Sequence, residues 1–135
     1  MAATKPVPTV DELNRPFWEG AREGRLMLQR CAACGHHQFY PRPFCLACAS
    51  DQLEWVQASG DGHLVTFTVV HRTADAAFAD EVPYVFGVVE LGEGPRLTVD
   101  VVGTPVDSLR CDMPATIVFT EIAPGSIVPN ARGVP

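Results

Sequence analysis

The sequence predicts a mainly β protein made of a short N-terminal helical segment, a four-cysteine metal-binding segment and a C-terminal five-stranded barrel. Three observations predict it. Two Cys-x-x-Cys pairs, Cys31/Cys34 and Cys45/Cys48, stand ten residues apart. Prolines at 41 and 43 forbid a continuous helix between the pairs, so that stretch must be loop and short strand. From Trp55 onward the apolar residues recur with a period of two, in short runs separated by Gly/Pro turns.

The elements follow in order. Residues 1–12 are rich in Pro and small residues and read as a loosely docked arm. Asn14 can cap a helix, Pro16 suits its first turn and Gly24 suits its stop. Gly20 weakens so short a helix by about 1 kcal/mol relative to Ala, so Phe17 and Trp18 must dock on something to hold it, either their own domain or a partner. Leu26–Gln29 reads as a short strand leading into the cysteine segment. Beyond Trp55, Val65, Phe67 and Val69 alternate with threonines, Tyr84–Leu91 is a nearly continuous apolar run, and 92–95 is a turn. Leu97, Val99 and Val101 alternate again. A loop or helical turn around 106–109 then precedes strands at Ala115–Thr120 and Ser126–Val128. One helical turn before the penultimate strand fits a Greek-key barrel of the OB type better than an immunoglobulin-like sandwich. Gly87 within an apolar strand points to a bulge or a close backbone approach.

Composition bounds the function. The chain has 135 residues, 47% of them hydrophobic, and a net charge of −6. Residues 1–57 carry six basic and six acidic groups, whereas 58–135 carry four and ten, so the barrel half holds the whole deficit. Nucleic-acid binders normally carry a basic footprint. No apolar run approaches the roughly 18 residues of a membrane span. The N-terminus has no apolar segment after Lys5 and does not read as a secretory signal, so a reducing cytoplasm is the default setting. There, paired cysteines bind metal more readily than they form disulfides.

Two residues between cysteines let a tight turn aim both thiolates at one ion, and two such knuckles complete a tetrahedral S₄ site. Gly35 follows the first knuckle, where a left-handed residue is commonly needed; Ala49 holds the equivalent place after the second and costs about 1 kcal/mol if its φ is positive. Zinc is the preferred ion because nothing else in the chain suggests electron transfer, although iron takes the same ligands. Four thiolates leave no open position for water, so the role is structural. His36 and His37 follow the first knuckle, but with four cysteines in register they read as surface residues. Cys111, in a turn between Arg110 and Asp112, has no helix N-terminus or basic cluster to lower its pKa and reads as an inert thiol rather than a nucleophile served by His63 or His71. His71-Arg72 closes a strand and reads as a solvated end. Asp75, Asp80 and Glu81 flank Phe78 in an expected exposed loop. No phosphate-cradling loop, nucleophile elbow or spaced carboxylate pair is present.

A longer ordered series adds to this. It comprises Phe17-Trp18-Glu19-Gly20, Gly24-Arg25-Leu26, Gln29-Arg30-Cys31, knuckles separated by Pro41-Arg42-Pro43, Trp55-Val56, Gly60-Asp61-Gly62, Thr66–His71, Pro83-Tyr84, Gly94-Pro95-Arg96-Leu97 and Met113-Pro114. Over roughly residues 13–130 this resembles the acyl-CoA-associated zinc-ribbon/OB-fold family. The resemblance implies an N-terminal arm and helix over 1–30, a rubredoxin-like zinc ribbon over 31–54 and an OB-fold domain over 55–135, with Cys31, Cys34, Cys45 and Cys48 as zinc ligands. It also implies a non-catalytic partner of a thiolase-like enzyme, in a heteromeric complex that cleaves or forms C–C bonds in acyl-CoA substrates, stabilising the catalytic chain and sharing its coenzyme A site. Arg42, beside the ribbon, and Arg72, at a strand end, are candidate CoA contacts on position alone. Three positions depart from the family pattern: Ala49 stands where Gly is usual, Asp100 where Asn is frequent, and the tail 128–132 lacks the usual aromatic.

The alternative class is a single-stranded nucleic-acid-binding module, which would need aromatics such as Phe67, Tyr84, Phe86 and Phe119 in a basic groove. Alternation is expected to turn most of those rings inward. A third is a small acyl-CoA hydrolase or lyase acting alone through Cys111 or His71.

Overall fold

A computed structural model describes residues 5–135. The chain enters through a reciprocal pair in which the backbone N–H groups of Asp11 and Asn14 each donate to the other's side-chain oxygen, at 2.8 and 2.9 Å. Helix α1, Arg15–Arg22, follows with Pro16 in its first turn. It ends where Gly24 takes φ +74° and the Gly24 and Arg25 N–H groups turn back to the carbonyls of Ala21 and Gly20, satisfying acceptors the helix itself leaves free. Phe17 is 2% exposed, and its ring meets Trp18 and Phe39 at 4.8 and 5.0 Å. The helix therefore docks on its own molecule. Burying one such ring contributes about 1.5–3 kcal/mol, enough to offset Gly20.

Strand β1 (Met27–Cys31) lies between β2 (His37–Gln38) and β3 (Leu53–Gln57) in an antiparallel sheet. Its register with β3 runs from Met27↔Gln57 to Cys31↔Leu53. The Ala58 N–H then donates to Leu26 O at 2.8 Å and carries the chain into the barrel.

The barrel closes in the order β4-β5-β6-β8-β7, from β4 (Asp61–Val70), β5 (Tyr84–Leu91), β6 (Arg96–Val101), β7 (Pro114–Ala123) and β8 (Ser126–Gly133). This is the five-stranded OB arrangement, and the short 3₁₀ turn Val106–Ser108 precedes the penultimate strand as the pattern predicts. Leu64, Val89, Leu97, Ala115 and Ala131 fill its core. At Gly87 the backbones approach closely, and a Cβ there would stand 2.8 Å from Thr66 O. The register shift lies across the ladder, between Leu64 and Thr66.

Two expectations need correction. First, alternation does not turn most of the barrel aromatics inward. Val85, Gly87, Val89 and Leu91 take the inner face of β5, which leaves Tyr84 and Phe86 outside, and Phe86 is 41% exposed. Phe67 and Phe119 are half-buried against the core. Second, the last strand extends to Gly133 and closes the barrel despite Pro129 and Asn130; Asn130 is buried and donates to Thr120 Oγ1 at 3.0 Å. The loop around Phe78 leaves Asp75, Asp80 and Glu81 exposed, as expected, and takes a 3₁₀ turn, Ala76–Glu81, capped by the Asp75 carboxylate on the Ala77 N–H. Lys5 reaches over the Phe78 ring and pairs with Glu81 at 2.6 Å.

Candidate metal centre

The two knuckles are near copies of one another. In the first, the Cys31 N–H donates to His36 O and the Gly35 N–H to Cys31 O; in the second, the Cys45 N–H donates to Ser50 O and the Ala49 N–H to Cys45 O. Each turn closes on a left-handed residue, Gly35 at φ +80° and Ala49 at φ +65°. Ala49 thus accepts the strain of about 1 kcal/mol that a Cβ brings there.

The knuckles face one another across the sheet edge. All four sulfurs lie within 4.8 Å of each other, with Cys31···Cys48 at 3.6 Å and Cys34···Cys45 at 3.7 Å. A tetrahedron with Zn–S bonds of about 2.3 Å has S···S edges of about 3.8 Å, so the donor set fits zinc. The leading cysteine of each knuckle is buried and the trailing one exposed. The Ala47 N–H also donates to Cys45 Sγ at 3.3 Å.

The thiols are electrostatically frustrated unless a cation sits among them. The Cys34 backbone N–H outweighs desolvation and lowers Cys31 to about 7. The Ser50 N–H favours the Cys48 thiolate, but the Cys31 and Cys34 thiols beside it prevail, and Cys48 is pushed up to about 12. Four thiolates this close require a dication to balance them.

Two buried glutamines, to which the sequence alone gives no role, set the second knuckle in place. Gln29 Oε1 accepts from Gln38 Nε2 and from the Arg42 N–H, both at 2.9 Å, while Gln29 Nε2 donates to Arg42 O at 2.9 Å. Gln38 donates to Phe44 O and accepts the Leu46 N–H at 3.0 Å. Together they give the proline-broken linker hydrogen-bond partners that no strand supplies, and so position Cys45 between Phe44 and Leu46.

The remaining candidates stand apart from this centre. His36 and His37 lie beside the first knuckle without joining the sulfur cluster. Arg42 is exposed in the linker, and Arg72 is exposed after the end of β4. Cys111 is exposed in the turn before β7. His63 faces Glu90 at 3.5 Å, and Glu90 also pairs with Arg96. None of the described helices is long and apolar enough to cross a membrane.

Comparison with known proteins places these parts together. The model described as the ChsH2 rubredoxin-like zinc ribbon domain matches residues 18–54, and the ChsH2 C-terminal OB-fold domain matches 55–120. A probable enoyl-CoA hydratase alpha subunit of Thermomonospora curvata is 36% identical over 130 residues, covering 96% of this chain and 40% of that protein; the chain thus spans well under half of that relative. The benzoylsuccinyl-CoA thiolase subunit BbsA of Thauera aromatica is 29% identical, over 95% of this chain and 85% of the other. A solved structure, the Ltp2-ChsH2(DUF35) aldolase, superposes with a TM-score of 0.83 at 36% identity, over 93% of this chain and 98% of that one. With its S₄ ribbon and five-stranded barrel, the chain belongs to the ChsH2 (DUF35) family of zinc-ribbon/OB-fold proteins.

Proposed function

We propose that this chain is a non-catalytic accessory subunit of a heteromeric, cytoplasmic, thiolase-like acyl-CoA enzyme, a thiolase or a retro-aldolase. The observation that carries the reading is the match, over nearly the whole of its length, to the DUF35 chain of an aldolase. The thiolase subunit among the relatives supports the same class. A four-thiolate centre supports it chemically, because it offers no open coordination position to a substrate and serves to hold shape.

In this role the zinc rigidifies the ribbon, the ribbon and α1 present a fixed surface to the larger chain, and the larger chain carries the reacting groups. Arg42 and Arg72, both exposed, supply cations toward the phosphates of a shared coenzyme A. The test is turnover of an acyl-CoA substrate by the larger chain alone, by this chain alone and by the two mixed. The proposal expects no turnover by this chain alone and a higher, longer-lived activity in the mixture. Activity of the isolated chain that is lost in Cys111→Ala or His71→Ala would contradict it.

A further inference from the structure

The sulfur cluster is lopsided in its exposure. In each knuckle the leading cysteine, Cys31 or Cys45, is buried at 0% or 1% exposure, while the trailing one, Cys34 or Cys48, is exposed. Between them stand Ala32 and Ala33 in one knuckle and Leu46 and Ala47 in the other, all exposed. These small or outlying side chains leave the trailing sulfurs open. Two close sulfur contacts run across the knuckles, Cys31···Cys48 at 3.6 Å and Cys34···Cys45 at 3.7 Å. Each contact therefore joins a sulfur that a small oxidant reaches to one that it does not.

We propose that the four cysteines form a reversible, hydroperoxide-sensitive switch, in which each exposed thiolate is oxidised first and its buried partner then closes a disulfide across the knuckles, Cys34–Cys45 and Cys31–Cys48. The inference rests on the fit of the sulfur cluster to zinc and goes beyond the accessory-subunit reading. The thiolate is the attacking form of cysteine, and metal ligation holds Cys34 and Cys48 in it. Cys34 Sγ attacks one oxygen of hydrogen peroxide and gives up an electron pair; the O–O bond breaks and the other oxygen leaves as hydroxide. Cys34 is then a sulfenic acid. Cys45 Sγ attacks that sulfur, the S–O bond breaks and a second hydroxide leaves. Cys48 and Cys31 repeat the sequence. Each disulfide thus consumes one peroxide and two protons and yields two waters. A disulfide carries no charge and no longer serves as a zinc ligand, so the centre loses its dication. With an S–S bond of about 2.05 Å, each pair closes by about 1.6 Å, a shift on the scale of a side-chain rotation. The two bridges are nested, spanning 17 and 11 residues. They keep the knuckles opposed, and reduction returns all four thiolates to one place.

The experiment treats the zinc-loaded full chain with hydrogen peroxide, in a Cys111→Ala background that removes the remaining exposed thiol. Released zinc is read with a chromophoric chelator, and bridges are read by mass as two hydrogens lost for each. The expected result is complete loss of zinc with two bridges formed in each chain. Dimedone, which traps sulfenic acids, labels Cys34 and Cys48 but not Cys31 or Cys45. Chymotryptic cleavage after Phe44 separates the knuckles in sequence, so fragments that stay joined mark bridges across them, and fragmentation spectra assign the pairs. Dithiothreitol restores the four thiols and zinc uptake. Cys34→His keeps a four-ligand site of three sulfurs and one nitrogen, and forms Cys31–Cys48 alone. Should that variant fail to hold zinc, the map of the Cys111→Ala chain decides by itself. Zinc retained under peroxide, bridges within a knuckle (Cys31–Cys34 or Cys45–Cys48), or oxidation to sulfinic acid that dithiothreitol does not reverse overturns the proposal.

Discussion

Gln29 holds the linker that carries the second knuckle of the metal centre. Its amide satisfies both backbone groups of Arg42 and one hydrogen of Gln38 at once. Gln29→Ala strands these partners in a buried site, at about 1–3 kcal/mol each in the worst case. The variant is therefore expected to lose about 2 kcal/mol or more in denaturant unfolding and to surrender zinc to a chelator faster; stability unchanged within about 0.5 kcal/mol would show the linker is held by other means. Nothing in the sequence announces this, because a glutamine in a short strand is ordinarily solvated and only the fold of the linker reveals its partners. Ala49 is the opposite case: the repetition of the knuckle pattern sufficed to expect its left-handed backbone. Asp100 carries a second prediction. Burial raises its carboxyl pKa, with Lys5 opposing and Glu81 adding to the shift. A raised carboxyl pKa means the folded state holds its proton more tightly, so stability falls as pH rises past the unfolded value of about 3.9. Asp100→Asn should raise the melting temperature at neutral pH by less than about 4 °C. The gain should shrink as the pH is lowered toward 4, and a gain independent of pH would contradict the cause given.

At the scale of elements, strands with one buried face were legible and strands with special duties were not. β6 alternates cleanly in sequence and in burial, whereas β5 alternates only in burial. β8 reads as three residues because Pro129 and Asn130 are poor strand formers, yet pairing with β7 runs from Ser126 to Gly133. Pro129 is tolerated because backbone groups alternate sides along a strand and, given the Val101↔Ala131 pairing, its missing donor faces β6 rather than β7. Phe86 was misassigned because a nearly unbroken apolar run carries no phase; Gly87, occupying an inner position, sets it. That glycine yields a direct test. Its absent Cβ lets β4 pass, with Thr66 O and Leu64 Cδ1 at 2.8 and 3.0 Å from where a methyl would sit. Gly87→Ala is expected to cost about 1–3 kcal/mol, read as a fall in the denaturation midpoint with the slope unchanged. A neutral outcome would mean the strands spread without penalty.

Across the whole molecule, the helix, ribbon and barrel share one packed body through Phe17, Leu26 and Leu28, which lie in the same cluster as the barrel interior. The ribbon strand β1 pairs on both sides, while the second knuckle depends on two glutamines and on zinc, whose binding in small sites is worth about 10–16 kcal/mol. The ion therefore fixes the second knuckle and the ribbon surface around it, which in the proposed complex is the surface offered to the larger chain. Charge agrees with this division of labour, since the acidic surplus lies in the barrel half and the ribbon half is neutral. The most direct measurement is native mass spectrometry of the complex purified through a tag on this chain, co-expressed with a candidate thiolase-like chain from the same source, before and after chelation. The account predicts a heteromer carrying one zinc per copy of this chain, which comes apart when the metal is stripped. Recovery of this chain alone with its zinc in place, or a heteromer indifferent to metal removal, would contradict it.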